Sequence, residues 1–143
     1  MFQVRRMRDG DEEAVISLLN TTFPHVAMTR EKLKARLLRG ARFFVAVCGG
    51  EVAGFADLRI GRYALLRGIA VEARWKGKGV GDALLKKAVG EAKMLGKDRV
   101  RLKVRVGNAE AVKLYKENGF AIEGEEEDRF GGRVYRMIKR VEN

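Results

Sequence analysis

The chain has 143 residues, 46% of them apolar, enough for one compact core and too few for two domains of ordinary size. Thirty basic side chains against nineteen acidic ones give a formal net charge of +11, a field that draws anions such as phosphorylated cofactors, RNA or acidic substrates without choosing among them. One cysteine excludes an internal disulfide framework and a cysteine-rich zinc site, and no apolar run reaches leader-peptide or membrane-span length, so a cytoplasmic protein is expected.

"FQVRRM" begins as a short strand. Asp9 and Glu12 form a capping box, and Ala14, Val15, Leu18 and Leu19 follow at helical spacing. After "NTTFPHV", Thr29 caps a second helix whose Leu33, Leu37 and Leu38 face inward and which Gly40 ends. "RFFVAVCGGEVAGFADLRI" reads as a hairpin turning at Gly49-Gly50, with Cys48 a small buried hydrophobe. "YALLRGIAV" is a strand that runs into the stretch "RWKGKGVGDALL".

From Asp82 the helical spacing returns in Leu84, Leu85, Ala88, Val89, Ala92 and Leu95, closed by Gly96. "RVRLKVRV" alternates strictly, with Val100, Leu102, Val104 and Val106 on one face and Arg99, Arg101, Lys103 and Arg105 on the other. Asn108 caps the helix "AEAVKLYKEN", Gly119 stops it, and the tail forms two strands around Gly131-Gly132. No repeat, low-complexity tract or linker interrupts this order. A single domain over residues 1–143 is expected, of α/β (α+β) class, a sheet flanked by helices. The scattered charges, with one glutamine and one proline, lean toward a thermostable, solvated surface.

The glycine-rich stretch carries the functional argument. A strand ending in Lys76, Gly77, Lys78, Gly79 and Gly81 and feeding a helix gathers unpaired backbone N–H groups and the positive end of a helix dipole at one point, which suits a phosphate or pyrophosphate. The dinucleotide fingerprint fails because Asp82 stands where its last glycine belongs, and the P-loop fails because no Gly-Lys-Ser/Thr opens the helix. A basic, flexible turn is the plainer alternative.

"LRGIAVEARWKGKGVGDALL" followed by "NAEAVKLYKENGF" resembles, in order and spacing, the paired motifs of the GNAT superfamily of acetyl-CoA-dependent N-acetyltransferases, and the resemblance extends over essentially the whole chain. It implies a GNAT-like mixed, mostly antiparallel sheet, acetyl-CoA as co-substrate, no metal, and direct attack by a primary amine in a ternary complex. The family loop Arg/Gln-x-x-Gly-x-Gly/Ala wraps the pyrophosphate of coenzyme A. Here Lys76, Gly79 and Gly81 fall on its defining positions, with lysine replacing the usual first residue, while Arg74-x-x-Gly77-x-Gly79 fits two residues earlier. The carry-over implies cofactor contacts at Lys76, Gly77, Lys78, Gly79, Val80, Gly81, Asp82 and Asn108. It also implies strand-like pairing of the Ile69, Ala70 and Val71 backbone with the pantetheine arm, with a bulge in that strand.

Tyr115 matches the tyrosine that many members place beside the cofactor sulfur, where it serves as general acid, and the N–H near Val71 is expected to stabilise the oxyanion. As residues alone, Asn108 is equally a helix cap and Tyr115 equally a core aromatic. The general base stays open among Asp57, Glu72, His25 and a water relay, since Lys103 stands where members that acetylate protein N-termini often carry glutamate. The sequence does not name the acceptor; a protein N-terminus or a small amine is expected. With Arg101, Lys103 and Arg105 turned toward the cleft, carboxylate- or phosphate-bearing acceptors are expected to outperform polycations. A monomer or homodimer without membrane attachment is expected. Two other classes remain: an RNA- or ribosome-associated binder using that basic face with Tyr63 or Phe130 as stacking aromatics, and a non-catalytic acyl-CoA sensor on the same fold.

Overall fold

The computed structural model describes residues 1–141. Seven strands, β1 (Gln3–Arg6), β2 (Ala41–Cys48), β3 (Glu51–Ile60), β4 (Ala64–Val71), β5 (Arg99–Arg105), β6 (Ala121–Glu127) and β7 (Arg133–Arg140), form one sheet in the order β1-β2-β3-β4-β5-β7-β6. Every neighbouring pair is antiparallel except β4 and β5. Four helices cover it: α1 (Glu12–Thr22), α2 (Arg30–Leu38), α3 (Val80–Met94) and α4 (Ala109–Glu117). The mixed, mostly antiparallel sheet flanked by helices is the expected architecture. Among the described residues no helix is long and apolar enough to cross a membrane.

Coverage on both faces explains why β2 and β3 read as nearly continuous apolar runs. Phe43, Val45 and Phe55 point to one side and pack with Val15 and Leu19 of α1 and Leu33 of α2. Phe44, Ala46, Ala56 and Leu58 point to the other and pack with Leu84, Leu85 and Ala88 of α3 and with Tyr115 of α4. Gly54 of β3 allows α3 to sit this close, because a Cβ there would stand 2.7 Å from the Ala70 carbonyl oxygen and 3.1 Å from Leu84 Cδ1. Cys48 is buried, as its apolar run suggests.

Most caps and turns stand where the residue types put them. Thr29 accepts from the Lys32 N–H at 3.2 Å, Asn108 accepts from the Ala111 N–H at 3.2 Å, and Gly40, Gly49, Gly50, Gly96, Gly119 and Gly131 all have positive φ. Three local expectations fail. Leu38 and Leu95 lie at helix ends beyond the reach of the sheet, and Leu38 is 89% exposed. The helix expected from Asp82 starts two residues earlier, at Val80.

The expected Asp9/Glu12 capping box is also absent, since a short 3-10 turn over Asp9–Asp11 precedes α1. Asp11 takes the central part instead. Its carboxylate accepts from the Arg8 N–H at 2.7 Å and from both terminal nitrogens of Arg5 at 2.7 and 3.1 Å, a two-pronged cation on β1 that no backbone cap can match. The Arg5 hydrogen bond holds the Asp11 carboxyl below the usual carboxylate range.

A depressed folded-state pKa contributes stability that is present above the unfolded pKa and is lost as pH falls through the folded value. Asp11→Asn should therefore cost about 1.5–3 kcal/mol at pH 7, and the gap between the two proteins should close as pH falls below about 4. Urea midpoints for both, measured from pH 7 to pH 2.5, check this; a gap independent of pH contradicts it.

Candidate functional site

β4 pairs with β5 for three residues only, Ala64 with Val100, Leu65 with Arg101 and Leu66 with Leu102. At that point β4 bulges, because Leu66 pairs with Leu58 of β3 while Gly68 pairs with Asp57, leaving Arg67 as the extra residue. Ile69, Ala70 and Val71 then keep their β3 partners and have none on β5, so one edge of their backbone is bare. The expected bulge thus exists, and it lies just before residues 69–71 rather than within them.

A groove of about 400 Å³ opens at this fork. Its walls include Ile69, Ala70 and Val71 from β4, Lys76, Gly77, Gly79, Val80, Gly81 and Asp82 from the glycine loop and first turn of α3, and Asn108 and Tyr115 from α4. Lys78 belongs to the same loop but is not on the wall. Gly77 and Gly79 have φ of 74° and 82°, a conformation that strains any residue with a Cβ. Gly79 caps α3, and the first helical N–H to find a carbonyl is that of Ala83, which bonds Gly79 at 3.1 Å. The amides of residues 80–82 are left at the positive end of a 15-residue helix.

Gly81 has no such backbone demand, and a Cβ there would make only ordinary contacts at 3.5 and 3.7 Å with Leu114 and Val71. The protein's own packing does not require glycine at that position. A smooth amide surface for an anion is what the missing side chain leaves, so the loop fits a pyrophosphate. Asp82 in the first turn is engaged by Lys86 and by Asn118, whose Nδ2 donates at 3.0 Å, and these hydrogen bonds hold its carboxyl below the usual range.

Asn108 serves as the α4 cap and borders the groove at once. Tyr115 packs edge-on to Phe120 with ring centres 5.8 Å apart, is 7% exposed, and has its hydroxyl pushed up to about 12 by burial. Sequence reasoning missed Trp75, Ala111 and Leu114 on the same wall. Helical spacing from Asn108 to Ala111 and Tyr115 was the available signal for Ala111.

A second cavity, of about 500 Å³, lies on the α1/α2 side of the sheet. Leu19, Phe23, Val26, Met28 and Phe55 form its apolar wall, and its charged lining among the described residues comprises Lys32, Arg36, Arg39, Arg67 and Arg129 with one acid, Asp57, which Arg36 and Arg67 contact. The loop after α1 is fastened across it by Asn20, whose amide accepts from the Met28 N–H at 2.6 Å and donates to the Met28 carbonyl at 3.0 Å. The two cavities meet on β4, where Gly68 borders this one and Ile69 the groove.

None of the three side-chain base candidates stands free at that junction. Asp57 is 1% exposed, and its oxygens accept from Arg36 Nη1 at 2.7 Å and Arg67 Nη2 at 3.2 Å. Burial pushes its carboxyl up, against the pull of Arg67 and Arg36. His25 lines the second cavity with its ring against Phe130, centres 4.9 Å apart. Glu72 borders neither cavity and lies 3.5 Å from Arg74. Arg36 and Arg67 were not singled out from sequence, although Arg67 and Asp57 are lone charges in otherwise apolar strand segments.

The cationic stripe expected on β5 is not bare. Arg101 lies 3.8 Å from Glu123, Lys103 3.3 Å from Glu126 and Arg105 3.0 Å from Asp128, while Arg99 and Arg101 both stack on Tyr63. These side chains line neither cavity described above, so the expectation that they select the acceptor is withdrawn. Lys103 and Arg105 stay exposed, and the acids beside them offset the positive charge on which the nucleic-acid reading depended.

A family model described as acetyltransferase (GNAT) family matches residues 12–120. The L-amino acid N-acetyltransferase AaaT of Escherichia coli (strain K12) is 32% identical over 129 residues, covering 86% of this chain and 78% of that protein. Among solved structures, the ribosomal-protein-S18-alanine N-acetyltransferase from Escherichia coli superposes with a TM-score of 0.86 at 22% identity, over 100% of this chain and 96% of that one. The yncA protein of Salmonella typhimurium, a putative acetyltransferase solved with its cofactor acetyl-CoA, gives 0.83 at 23% identity, over 98% and 94%.

Asp57 is the anion shared by two half-buried guanidiniums, and removing its charge strands both. Asp57→Asn should lower stability by about 3 kcal/mol, read as a drop in denaturation midpoint. An unchanged midpoint would mean that Arg36 and Arg67 turn freely to solvent.

Proposed function

The chain belongs to the acetyltransferase (GNAT) family and is an acetyltransferase, and on that premise we propose that it transfers the acetyl group of acetyl-CoA to a primary amine that attacks directly. The observation that carries this reading is the bare edge of residues 69–71 beside the open amides of residues 80–82. An extended amide-bearing arm fits the first and a pyrophosphate the second. When bound, acetyl-CoA supplies a thioester, an acyl group already activated toward amines. We assign the pyrophosphate to Lys76, Gly77, Gly79, Val80, Gly81 and Asp82, and the pantetheine arm to Ile69, Ala70, Val71 and Asn108. Lys78 supplies only charge nearby.

The chain's own groups then have three tasks. The backbone N–H groups beyond the bulge donate toward negative charge that builds on the carbonyl oxygen, where fixed donors are most effective. Tyr115 remains protonated at neutral pH and donates to the sulfur as it departs. A phenol near 12 and a thiol near 8.5 differ by about 3.5 pK units, so complete proton transfer to the free thiolate is uphill by roughly 5 kcal/mol. The hydroxyl therefore acts mainly by stabilising charge on sulfur through a hydrogen bond.

The amine enters from the α1/α2 side. The cations around Asp57 disfavour its ammonium form there, which promotes loss of the proton to a water chain without a dedicated base. The acceptor carries a free carboxylate, as an amino acid does. Arg36 and Arg67 at the floor of the second cavity support this, as does the relative named for L-amino acid N-acetylation.

Acetyl-CoA should raise the melting temperature by the equivalent of about 2.7 kcal/mol at a hundredfold excess over its Kd. Gly81→Glu puts bulk and negative charge at the amides in a backbone conformation that any residue adopts, so it should fold and lose the shift. A shift that survives would move the pyrophosphate elsewhere.

Tyr115→Phe keeps the ring and removes the donor. Turnover should fall about 10²-fold while the acetyl-CoA shift is retained. Full turnover in that variant would make Tyr115 a core aromatic and nothing more.

A further inference from the structure

The second cavity does not end at Arg36 and Arg67. A smaller depression bordered by Arg36, Arg39, Arg59 and Arg67, with Ile60 and Gly61, continues from it along the β3–β4 hairpin. Among the described residues the combined trough presents six cations, namely Lys32, Arg36, Arg39, Arg67 and Arg129 from the cavity plus Arg59 from the extension, and one acid, Asp57. Along β5 and β7 five cations are compensated, Arg101, Lys103, Arg105, Arg133 and Arg136 each lying against an acid of residues 123–128. Two cations of the trough are not. Among the described residues Arg39 and Arg59 form no ion pair or side-chain hydrogen bond, and the buried Nε of Arg67 has no partner. Burial first, and then repulsion from Arg36 and Arg59 against the pull of Asp57, hold the Arg67 guanidinium below its usual range.

One acceptor carboxylate on Arg36 and Arg67 would still leave Arg39 and Arg59 unmatched beside it. We propose that the acceptor is an amine bearing two anionic groups, a dicarboxylic amino acid in chemistry, with its second carboxylate held by Arg39 and Arg59. This rests on the N-acetyltransferase reading and narrows it. Phe23 and Met28 on the opposite wall pack the acceptor's methylene groups. The charge surplus, rather than the shape of the cavity, provides selection, because a neutral isostere fills the same volume and leaves the two arginines unpaired.

L-glutamate and L-glutamine test this, being nearly identical in shape and different by one charge. Thiol release from acetyl-CoA should show kcat/KM at least about tenfold higher for glutamate, and the ratio should shrink in high salt. In Arg39→Gln/Arg59→Gln, which changes two exposed side chains, the ratio of glutamate to glutamine turnover should fall toward one. Calorimetry with N-acetyl-L-glutamate and N-acetyl-L-glutamine in the presence of coenzyme A gives the same comparison without turnover. Equal or reversed preference in either assay, or binding of neither product, overturns the proposal. Loss of the acetyl-CoA melting shift in the unaltered protein would instead sink the acetyltransferase reading, and the product-binding comparison still reports separately on the trough.

Discussion

The parting of β4 from β5 is the constraint on which the rest of the site depends. Three parallel pairs join the strands, and the extra residue Arg67 turns β4 out of register immediately afterwards. A sheet that continued to pair would satisfy the backbone of residues 69–71 and close the groove. Because it forks, backbone polar groups are left at the centre of the fold, next to the uncapped amides of α3. Buried backbone polar groups without partners are costly, so a fork of this kind persists where a ligand or water completes the pairing. The left-handed turn at Gly77 and Gly79 then brings the start of α3 to the mouth of the fork.

The bulge does a second job. It places Arg67 on the floor of the α1/α2 cavity opposite Asp57, and Arg36 arrives from α2 to complete the cluster. One irregularity in one strand thus separates two chemical environments. The side holding the fork is lined by backbone amides and a neutral phenol, and the side facing α1 and α2 by guanidiniums. The two cavities border the neighbouring residues Gly68 and Ile69, and on the proposed reading the thioester donor lies on one side and the amine on the other.

Net charge misleads when it is taken as a whole. Much of the basic excess on β5 and β7 is answered by the acids of residues 123–128, which cross the exposed face of the sheet from β6. In the trough, by contrast, six cations face one acid among the described residues. A count of +11 could have described a nucleic-acid surface or a solvated one, and only the pairing pattern separates a compensated face from an uncompensated cavity.

The sequence by itself determined the element order, the mixed sheet, the helix starts at Thr29 and Asn108, and a glycine loop leading into a helix. Those features depend on spacing within a few residues, which periodicity and cap chemistry report directly. It also pointed to the groove wall through Ile69, Val71, Gly79, Gly81 and Tyr115, since each lies in a contiguous motif. Tertiary structure alone decided which cations are free. Lys103 and Arg105 look identical to Arg39 and Arg59 in one dimension, yet the former meet acids more than twenty residues away and the latter meet none among the described residues. The same holds for Asp57, an apparent general base along the strand and a buried anion between two guanidiniums in the fold. Charge compensation is a long-range property of pairing across strands and helices, and no local pattern encodes it.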